Sequence, residues 1–243
     1  MSSESLSAET IKNFLYASTA TVSMQMLKRG FRNVAVNGVK PLNPAAARIV
    51  GPAYTLRYIP SREDIDKAPS PSDPPNAQRT AIEESPAGSV LVIGTEGNTR
   101  SGTLGDILAL RLQVRGVAGV LSDGAIRDTP VIGKMDWPVY CAAAAAPPSM
   151  ANLHPADVQT PVGICGVPVY PGDVIVADED GAIVVPRHLA DEVARDSFEQ
   201  ERLEKFVAIR ISQGQPITGT YPPNDETRAL YQAWVKAGEP PNG

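Results

Sequence analysis

Two short segments of the chain contain residue types that bind small anions and divalent metals. One is Gly105-Asp106-Ile107-Leu108, and the other is the pair Arg127-Asp128. A glycine followed by an acidic residue is typical of a helix start, where the first backbone amides have no partner within the helix. Those amides carry partial positive charge, so we expect Ile107 and Leu108 to bind a carboxylate through their N–H groups.

The residues between these segments predict how the fold brings them together. Leu108 and Leu112 have helical spacing, and Gly116 ends the helix. The uncharged run at 117–121 is rich in small and β-branched residues, which indicates a strand buried on both faces. The charged loop with Arg127 follows that strand. The sequence therefore predicts a helix, a buried strand and a charged loop around one anion and metal site.

The chemistry of this combination suits a 2-oxo acid. The substrate carboxylate would bind the helix amides, while Arg127 and a divalent metal on Asp128 polarise the keto oxygen. Asp106 would act through a water molecule. Each motif alone also has a structural interpretation, because Gly-Asp is an ordinary helix start and Arg-Asp is often a surface ion pair. Their combination is what favours a functional site.

The same combination resembles the signature of the 4-hydroxy-4-methyl-2-oxoglutarate aldolases and their relatives, the regulators of ribonuclease activity A, together called the RraA-like family. Similar motifs occur on both sides of the signature, at 86–93, 169–178 and 180–186. The resemblance covers about residues 15–215. It implies an α/β fold, a swivelling β/β/α-type domain with a mixed sheet, an N-terminal helix and a C-terminal helix. We expect residues 1–243 to form one such domain, with a tail at 216–243.

The resemblance also implies roles for individual residues. It places substrate binding on Gly105, Asp106, Ile107, Leu108 and Arg127. Asp128 is implied as the ligand of a divalent metal, Mg²⁺ or Mn²⁺. In the family, an acidic residue from the C-terminal helix of a neighbouring subunit reaches the waters around the metal; Glu204 matches that residue best, and Glu201 is the alternative. The expected assembly is a homo-oligomer, a trimer or a hexamer, with the site between subunits.

Hydrophobic periodicity and turn residues predict the remaining elements. One amphipathic helix is expected at about 7–29, and a long final helix at about 188–213. A Pro- and Ser-rich stretch at 67–75 is predicted to be an exposed loop. The tail after Gly214 is predicted to wrap a surface or a neighbour. The other predicted elements are short strands near 47–59, a helix near 76–85, strands near 89–94, 138–142 and across 162–186, and a short helix or turn near 128–134.

Composition and charge exclude several classes of protein. The chain has 243 residues, of which 42% are hydrophobic, and this is enough for a buried core. Two cysteines, Cys141 and Cys165, provide neither a disulfide framework nor a zinc motif. No apolar run is long enough to span a membrane, and the N-terminus lacks the order of a secretion signal, so we expect a cytoplasmic protein. The net charge of −5, without a basic stripe, argues against binding of nucleic acid.

Other catalytic routes fit the sequence less well. A Schiff-base aldolase would need a desolvated lysine, and Lys134 is the only lysine near the proposed site. The two histidines, His154 and His188, are too few for a three-histidine metal centre. We therefore expect a metal-dependent (class II) pyruvate aldolase that cleaves a 4-hydroxy-2-oxo acid, with oxaloacetate decarboxylation as a side activity. The alternatives are a non-catalytic ribonuclease-binding regulator and an aldolase or dehydratase that acts on a sugar-derived oxo acid.

Overall fold

The computed structural model describes residues 6–66 and 74–240. Most of the predicted Pro- and Ser-rich loop at 67–75 therefore lies outside the described residues. The strands in the described part are β1 Ala35–Val36, β2 Lys40–Pro41, β3 Ile49–Pro60, β4 Val90–Gly94, β5 Gly119–Ser122, β6 Ala125–Ile126, β7 Val139–Cys141, β8 Ala143–Ala144, β9 Leu153–Val158, β10 Val162–Ile164, β11 Val167–Val169, β12 Val174–Asp178 and β13 Gly181–Val185.

Helices occur at both ends of the chain and between the central strands. Within residues 6–66 and 74–240 there are also three short 3-10 helices, at Pro44–Ala46, Ser149–Ala151 and Arg187–Leu189. The α-helices of the described part are α1 Ala8–Tyr16, α2 Thr19–Lys28, α3 Ala77–Glu84, α4 Asp106–Val114, α5 Thr129–Ile132, α6 Ala190–Ser212, α7 Ile217–Thr220 and α8 Asp225–Lys236.

The main sheet is mixed, as predicted, and its centre is parallel. Its strands follow the order β1-β13-β12-β3-β4-β5-β7-β2, and β3, β4, β5 and β7 run parallel to one another. The 12-residue strand β3 pairs with β12 near its start and with β9 near its end, in both cases antiparallel. Because β4 and β5 are parallel, the segments that follow them leave the sheet at the same edge. That edge holds the predicted site.

Both faces of the central strands are buried, which explains their almost uninterrupted apolar composition. Leu91 and Ile93 of β4 face a cluster that includes Leu112 of α4. Val90 and Val92 face the opposite cluster, which includes residues of the β10–β11 hairpin. A third cluster joins β12 and β13 to the helices α1, α2 and α6. The helix α4 is thus fixed on the sheet with its N-terminus at the edge where β4 and β5 end.

The N-terminal prediction of one helix over about 7–29 is wrong. The structure has two helices, and the backbone is extended at Ala17 and Ser18 between them. The hydroxyl of Ser18 accepts a hydrogen bond from the amide of Thr21, so Ser18 is the N-cap of α2. A serine in a hydrophobic periodic pattern is a cap signal, and it decides the local structure here.

One other prediction needs correction, and the structure adds a helix to another. The short strands expected near 47–59 are the single strand β3. The tail contains the helix α8, which begins after the N-cap Asn224 and packs on α6 of the same chain. Its Tyr231 and Trp234 are buried against Phe206, with ring centroids 5.9 and 5.5 Å from that of Phe206. The i and i+3 spacing of these two aromatic residues was the available sequence signal for a helix.

Candidate active site at the start of α4

The segment that connects β4 to α4 lies directly beside the loop that follows β5. The Thr103 amide donates to the Ala125 carbonyl at 2.9 Å, and the Arg127 amide donates to the Leu104 carbonyl at 2.8 Å. These bonds align residues 103–105 with residues 125–128. The two segments predicted from the sequence are therefore brought together by backbone pairing.

Two glycines allow this close approach. A Cβ on Gly102 would lie 2.3 Å from Cγ of Arg127, and a Cβ on Gly105 would lie 2.8 Å from Oδ2 of Asp128. Both distances are shorter than real Cβ contacts. A side chain at either glycine would therefore displace one of the two residues that carry the predicted chemistry.

Asp128 places its carboxylate over the first turn of α4. Its backbone has φ 54° and ψ 31°, a left-handed conformation that aspartate tolerates better than most residues. Its Oδ2 lies 3.4 Å from the amide nitrogen of Asp106, which donates to it. The side chain of Asp128 is exposed, so a ligand from solvent can reach it.

The first amides of α4 are arranged differently from the prediction. The amide of Ile107, expected to bind a substrate carboxylate, donates to Oδ1 of Asp106 at 2.8 Å. With the Asp106 amide directed at Asp128, two successive amides face carboxylates of the protein itself. This shows that the helix start attracts carboxylate groups, as its partial positive charge requires. A substrate carboxylate would take the place of the Asp106 side chain at the Ile107 amide.

The charged groups of the site lack partners of opposite charge. Within the described residues, neither Asp106 nor Asp128 forms an ion pair with a basic side chain, and the guanidinium of half-buried Arg127 has no hydrogen-bond acceptor. Two adjacent carboxylates without a cation repel each other and favour a bound metal ion. A free guanidinium next to them favours a bound anion. The arrangement suits a ligand that is itself anionic and binds a metal.

The residues fit a hard divalent cation held mainly by water and substrate oxygens. No group of three or more histidine, cysteine or acidic side chains within residues 6–66 and 74–240 is placed to hold a metal. Asp128, with Asp106 nearby, offers oxygen ligands only. Mg²⁺ and Mn²⁺ accept such a set, and Mg²⁺ commonly keeps several waters when it binds one or two carboxylates.

Asp123 is an important residue of this edge that the sequence analysis did not select. It is 2% exposed and follows β5 directly. Its Oδ1 accepts bonds from the amide and hydroxyl of Thr95 at 2.7 and 2.9 Å, and its Oδ2 accepts from the Gly97 amide at 3.0 Å. Burial raises the pKa of the Asp123 carboxyl, and these bonds oppose that effect. Asp123 thus fastens the segment after β4 to the segment after β5.

Glu204 and Glu201 lie on α6, which packs against α1 and α2. Glu204 accepts a bond from Nε2 of Gln200 at 2.7 Å. Glu201 accepts bonds from the Ser18 amide at 2.9 Å, the Ser18 hydroxyl at 2.6 Å and the Thr21 hydroxyl at 2.7 Å. Burial acts to raise the pKa of Glu201, but these bonds hold it below its ordinary value. Glu201 is therefore engaged in fixing the start of α2.

Neither glutamate joins the site within this chain. Among the described residues, neither makes a hydrogen bond or ion pair with Asp106, Arg127 or Asp128. Glu204 lies instead beside an apolar groove, the α6 groove, which is lined by Val207, Ala208, Ile211, Ser212, Ile217 and Tyr221.

The outer face of α4 is apolar and begins at the site. Ile107, Leu110 and Val114 are 72%, 51% and 70% exposed, and their i, i+3, i+7 spacing places them on one stripe. Val131 of the neighbouring helix α5 is also exposed. We call Ile107, Leu110 and Val114 the α4 stripe.

Comparison with known proteins shows the family to which the chain belongs. The model of the RraA-like family, described as Aldolase/RraA, matches residues 19–184. The chain belongs to the RraA-like family. The match includes the whole site from Gly102 to Asp128 and ends before α6, so Glu204 lies outside the matched residues.

Individual relatives of this RraA-like chain differ in name and in length. Protein DlpA of Legionella pneumophila is 31% identical over 179 residues, which are 74% of this chain and 28% of DlpA. The chain thus spans less than a third of that relative. The 4-hydroxy-4-methyl-2-oxoglutarate aldolase of Thermus thermophilus is 38% identical over 108 residues, which are 44% of this chain and 65% of the relative.

A solved structure shows the same fold. RraAS2 of Streptomyces coelicolor, described as an unusual member of the RNase ES inhibitor RraA protein family, superimposes with a TM-score of 0.76 at 33% identity. The comparison covers 85% of this chain and 99% of that one. The predicted RraA-like α/β fold is therefore confirmed.

None of the helices in the described ranges combines the length and apolar composition needed to cross a membrane.

Proposed function

We propose that this RraA-like chain is a divalent-metal-dependent lyase, a class II pyruvate aldolase. It cleaves a 4-hydroxy-2-oxo acid, such as 4-hydroxy-4-methyl-2-oxoglutarate, to pyruvate, and it decarboxylates oxaloacetate as a side activity. The observation that carries the proposal is the exposed Asp128 carboxylate over the start of α4, next to Asp106 and the unpartnered Arg127. The Thermus thermophilus relative, named as such an aldolase, supports the choice of reaction.

Different residues of the site bind the substrate carboxylate, the C2 oxygen and the metal ion. The substrate carboxylate binds the amides of Ile107 and Leu108 at the helix start. Arg127 donates to the C2 oxygen and orients the 2-oxo group. Asp128 would hold the divalent ion, which when bound supplies Lewis-acid polarisation of the 2-oxo group.

These groups favour cleavage of the C3–C4 bond because they stabilise the negative charge that develops on the C2 oxygen. A water held by Asp106 and by Glu204 of the partner subunit takes the proton of the C4 hydroxyl. The electron pair of the C3–C4 bond then moves toward C2, and C4 leaves as a carbonyl compound. Arg127 stabilises the negative charge on the C2 oxygen. The proton taken from the C4 hydroxyl returns through the same water to C3 and completes pyruvate, and loss of CO₂ from oxaloacetate passes through the same enolate.

We also propose that the protein is a homo-oligomer, a trimer or a hexamer, with the site between subunits. Glu204 does not reach the site in cis, whereas the α6 groove beside it is apolar. The α4 stripe is apolar and starts at Ile107, next to Asp106. If the α4 stripe of one copy occupies the α6 groove of the next, Glu204 arrives at the start of α4. Such a contact joins two different surfaces, and it closes into a ring when the rotation between copies completes a circle, as a trimer requires.

The decisive test measures pyruvate release from oxaloacetate and from 4-hydroxy-4-methyl-2-oxoglutarate, with Mg²⁺, with Mn²⁺ and with a chelator. The native chain is compared with Asp128→Ala and with Asp136→Ala, a matched change at an exposed carboxylate after α5. We expect metal-dependent turnover that Asp128→Ala loses and Asp136→Ala keeps. Absence of turnover with both substrates in the folded native protein would refute the proposal.

A second candidate function is a non-catalytic regulator that binds a ribonuclease. The similar structure of RraAS2, an unusual member of the RNase ES inhibitor RraA protein family, favours it. The net charge of −5 is compatible with a protein partner rather than with RNA. A pull-down with purified ribonuclease E-type enzyme, using the chain with and without Asp128→Ala, separates the two, because only the lyase requires Asp128. A third candidate, a lyase or dehydratase for sugar-derived oxo acids, is tested by replacing the substrate in the same assay.

A further inference from the structure

We propose that Arg100 binds a second carboxylate of the substrate and thereby selects 4-hydroxy-2-oxo diacids over monoacids. This inference rests on the proposed function, because it concerns the far end of the same substrate. Arg100 lies in the segment between β4 and α4, outside the signature residues.

The backbone places Arg100 alongside the site loop. Two residues before it, the Asn98 carbonyl oxygen lies 3.2 Å from the position that a Cβ on Gly124 would take. Two residues after it, Gly102 lies against Arg127, with 2.3 Å between its Cβ position and Cγ of Arg127. Arg100 is therefore flanked on both sides by contacts with residues 124–127, and it lies at the same edge of the sheet as Arg127.

The base of Arg100 is fixed while its charged end is free. Its amide donates to Oδ1 of Asn98 at 3.0 Å, and the next residue, Ser101, is fully buried. Asp123 holds the same segment through Thr95 and Gly97. The Arg100 side chain is exposed, and no described residue accepts a hydrogen bond from its guanidinium. A free guanidinium on an ordered base is suited to recognise a carboxylate through two parallel hydrogen bonds.

Charge balance at the site also points to Arg100. The segments 94–108 and 122–131 contain four acidic residues, Glu96, Asp106, Asp123 and Asp128, and only two basic residues, Arg100 and Arg127. Other arginines of the neighbouring elements are engaged. Arg57 pairs with Asp157, and Arg111 and Arg115 pair with Glu83.

A substrate with two carboxylates needs a cationic group at each of its ends. Arg127 and the start of α4 account for the carboxylate and oxo group at one end of the substrate. Asp106 and Asp128 lie at the site and would repel a second carboxylate, whereas the free guanidinium of Arg100 would attract it. Arg100 is thus the one cationic group of the two segments left for the far end.

The test uses binding of two ligands that are not cleaved and that differ in one group. These are 2-oxoglutarate and 2-oxopentanoate, which have five carbons each and carry a carboxylate or a methyl group at the far end. Their dissociation constants are measured by titration calorimetry with Mg²⁺ for the native chain, Arg100→Gln, Arg100→Lys and the control Arg228→Gln, which alters an exposed arginine of α8. Because neither ligand turns over, this readout does not depend on catalysis.

We expect the native chain and Arg228→Gln to prefer 2-oxoglutarate, and Arg100→Gln to lose about ten- to hundredfold in affinity for it. Affinity for 2-oxopentanoate should stay within about threefold, and Arg100→Lys should restore part of the preference. Equal weakening of both ligands in Arg100→Gln, or no preference in the native chain, would overturn the inference. Binding of both ligands without pyruvate release from any hydroxy-oxo acid would instead refute the lyase and keep the diacid site. Failure of the native chain to bind either ligand would refute both.

Discussion

Replacing Gly105 with alanine tests the geometry of the site with a single methyl group. Gly105 has φ −114° and ψ 177°, which alanine adopts without strain, so the backbone gives no reason for instability. The added Cβ would lie 2.8 Å from Oδ2 of Asp128, whereas ordinary contact begins at 3.4 Å. The carboxylate must therefore move by about 0.6 Å, which exceeds the roughly 0.5 Å within which a functional group has to be held.

The expected effect falls on metal binding and turnover rather than on folding. Misplacement of a group by about 1 Å can cost roughly a hundredfold in rate, so we expect a loss of about ten- to hundredfold in pyruvate release. The affinity for Mn²⁺, measured by the paramagnetic signal of the free ion, should weaken by about tenfold or more. The midpoint of thermal unfolding should remain close to that of the native chain.

A matched control is available in Gly163→Ala. Gly163 lies in β10, and a Cβ there would meet nothing within 4 Å. This variant should keep native metal affinity and activity. If Gly105→Ala bound Mn²⁺ and released pyruvate like Gly163→Ala, the placement of Asp128 over the start of α4 would be wrong.

Three further predictions concern the enolate, the α2 start and α8. Arg127→Ala should reduce aldol cleavage and oxaloacetate decarboxylation together by about a hundredfold or more, as measured by pyruvate release; loss of one activity alone would contradict a shared enolate. The pKa of Glu201 in the folded chain lies below its ordinary value of 4.5. The ionised Glu201 carboxylate therefore stabilises the folded chain fully above pH 4.5, and this stabilisation is lost as the pH falls through the folded pKa. In urea unfolding, Glu201→Gln should therefore be less stable than the native chain at pH 7, and the difference should shrink below about pH 4.5; a difference independent of pH would contradict the assignment. Trp234→Ala should lower the free energy of unfolding by about 3 kcal/mol, because it removes a buried indole, and Tyr231→Phe by about 1 kcal/mol, because it removes only the bond to Glu199. Equal effects of these two changes would show that α8 does not pack on α6 as described.

The site could be predicted from the sequence to the extent that its residues lie close together along the chain. Gly105, Asp106, Arg127 and Asp128 belong to one helix start and one loop, separated by a single strand, so local patterns were sufficient to bring them together. The structure confirms their proximity. The sequence analysis expected the Ile107 amide to bind the substrate carboxylate, whereas in the structure it donates to Asp106. The spacing of residues along the chain does not show in which direction a side chain points at a helix start.

Contacts between distant parts of the chain explain the other differences. The Ser18 cap that separates α1 from α2 is reinforced by Glu201, which bonds to Ser18 from 183 residues away along the chain. Asp123 was not predicted from the sequence, because its donors Thr95 and Gly97 come from another strand end. The tail was predicted only to wrap a surface or a neighbour, and its helix was missed because the burial of Tyr231 and Trp234 on Phe206 joins two separate helices.

The pairing of the first helices with α6 also affects the order in which the chain can fold during synthesis. Phe14 and Met26 of α1 and α2 are fully buried, and part of their cover comes from Val193 and Ala194 of α6. A ribosome releases the N-terminus long before it makes α6, and a nascent chain folds largely in the order in which it emerges. Until α6 emerges, those apolar side chains lack their final partner and are exposed to aggregation. A chain that stops before Ala190 would therefore leave an aggregation-prone N-terminus, even though it contains every residue from Gly105 to Asp128.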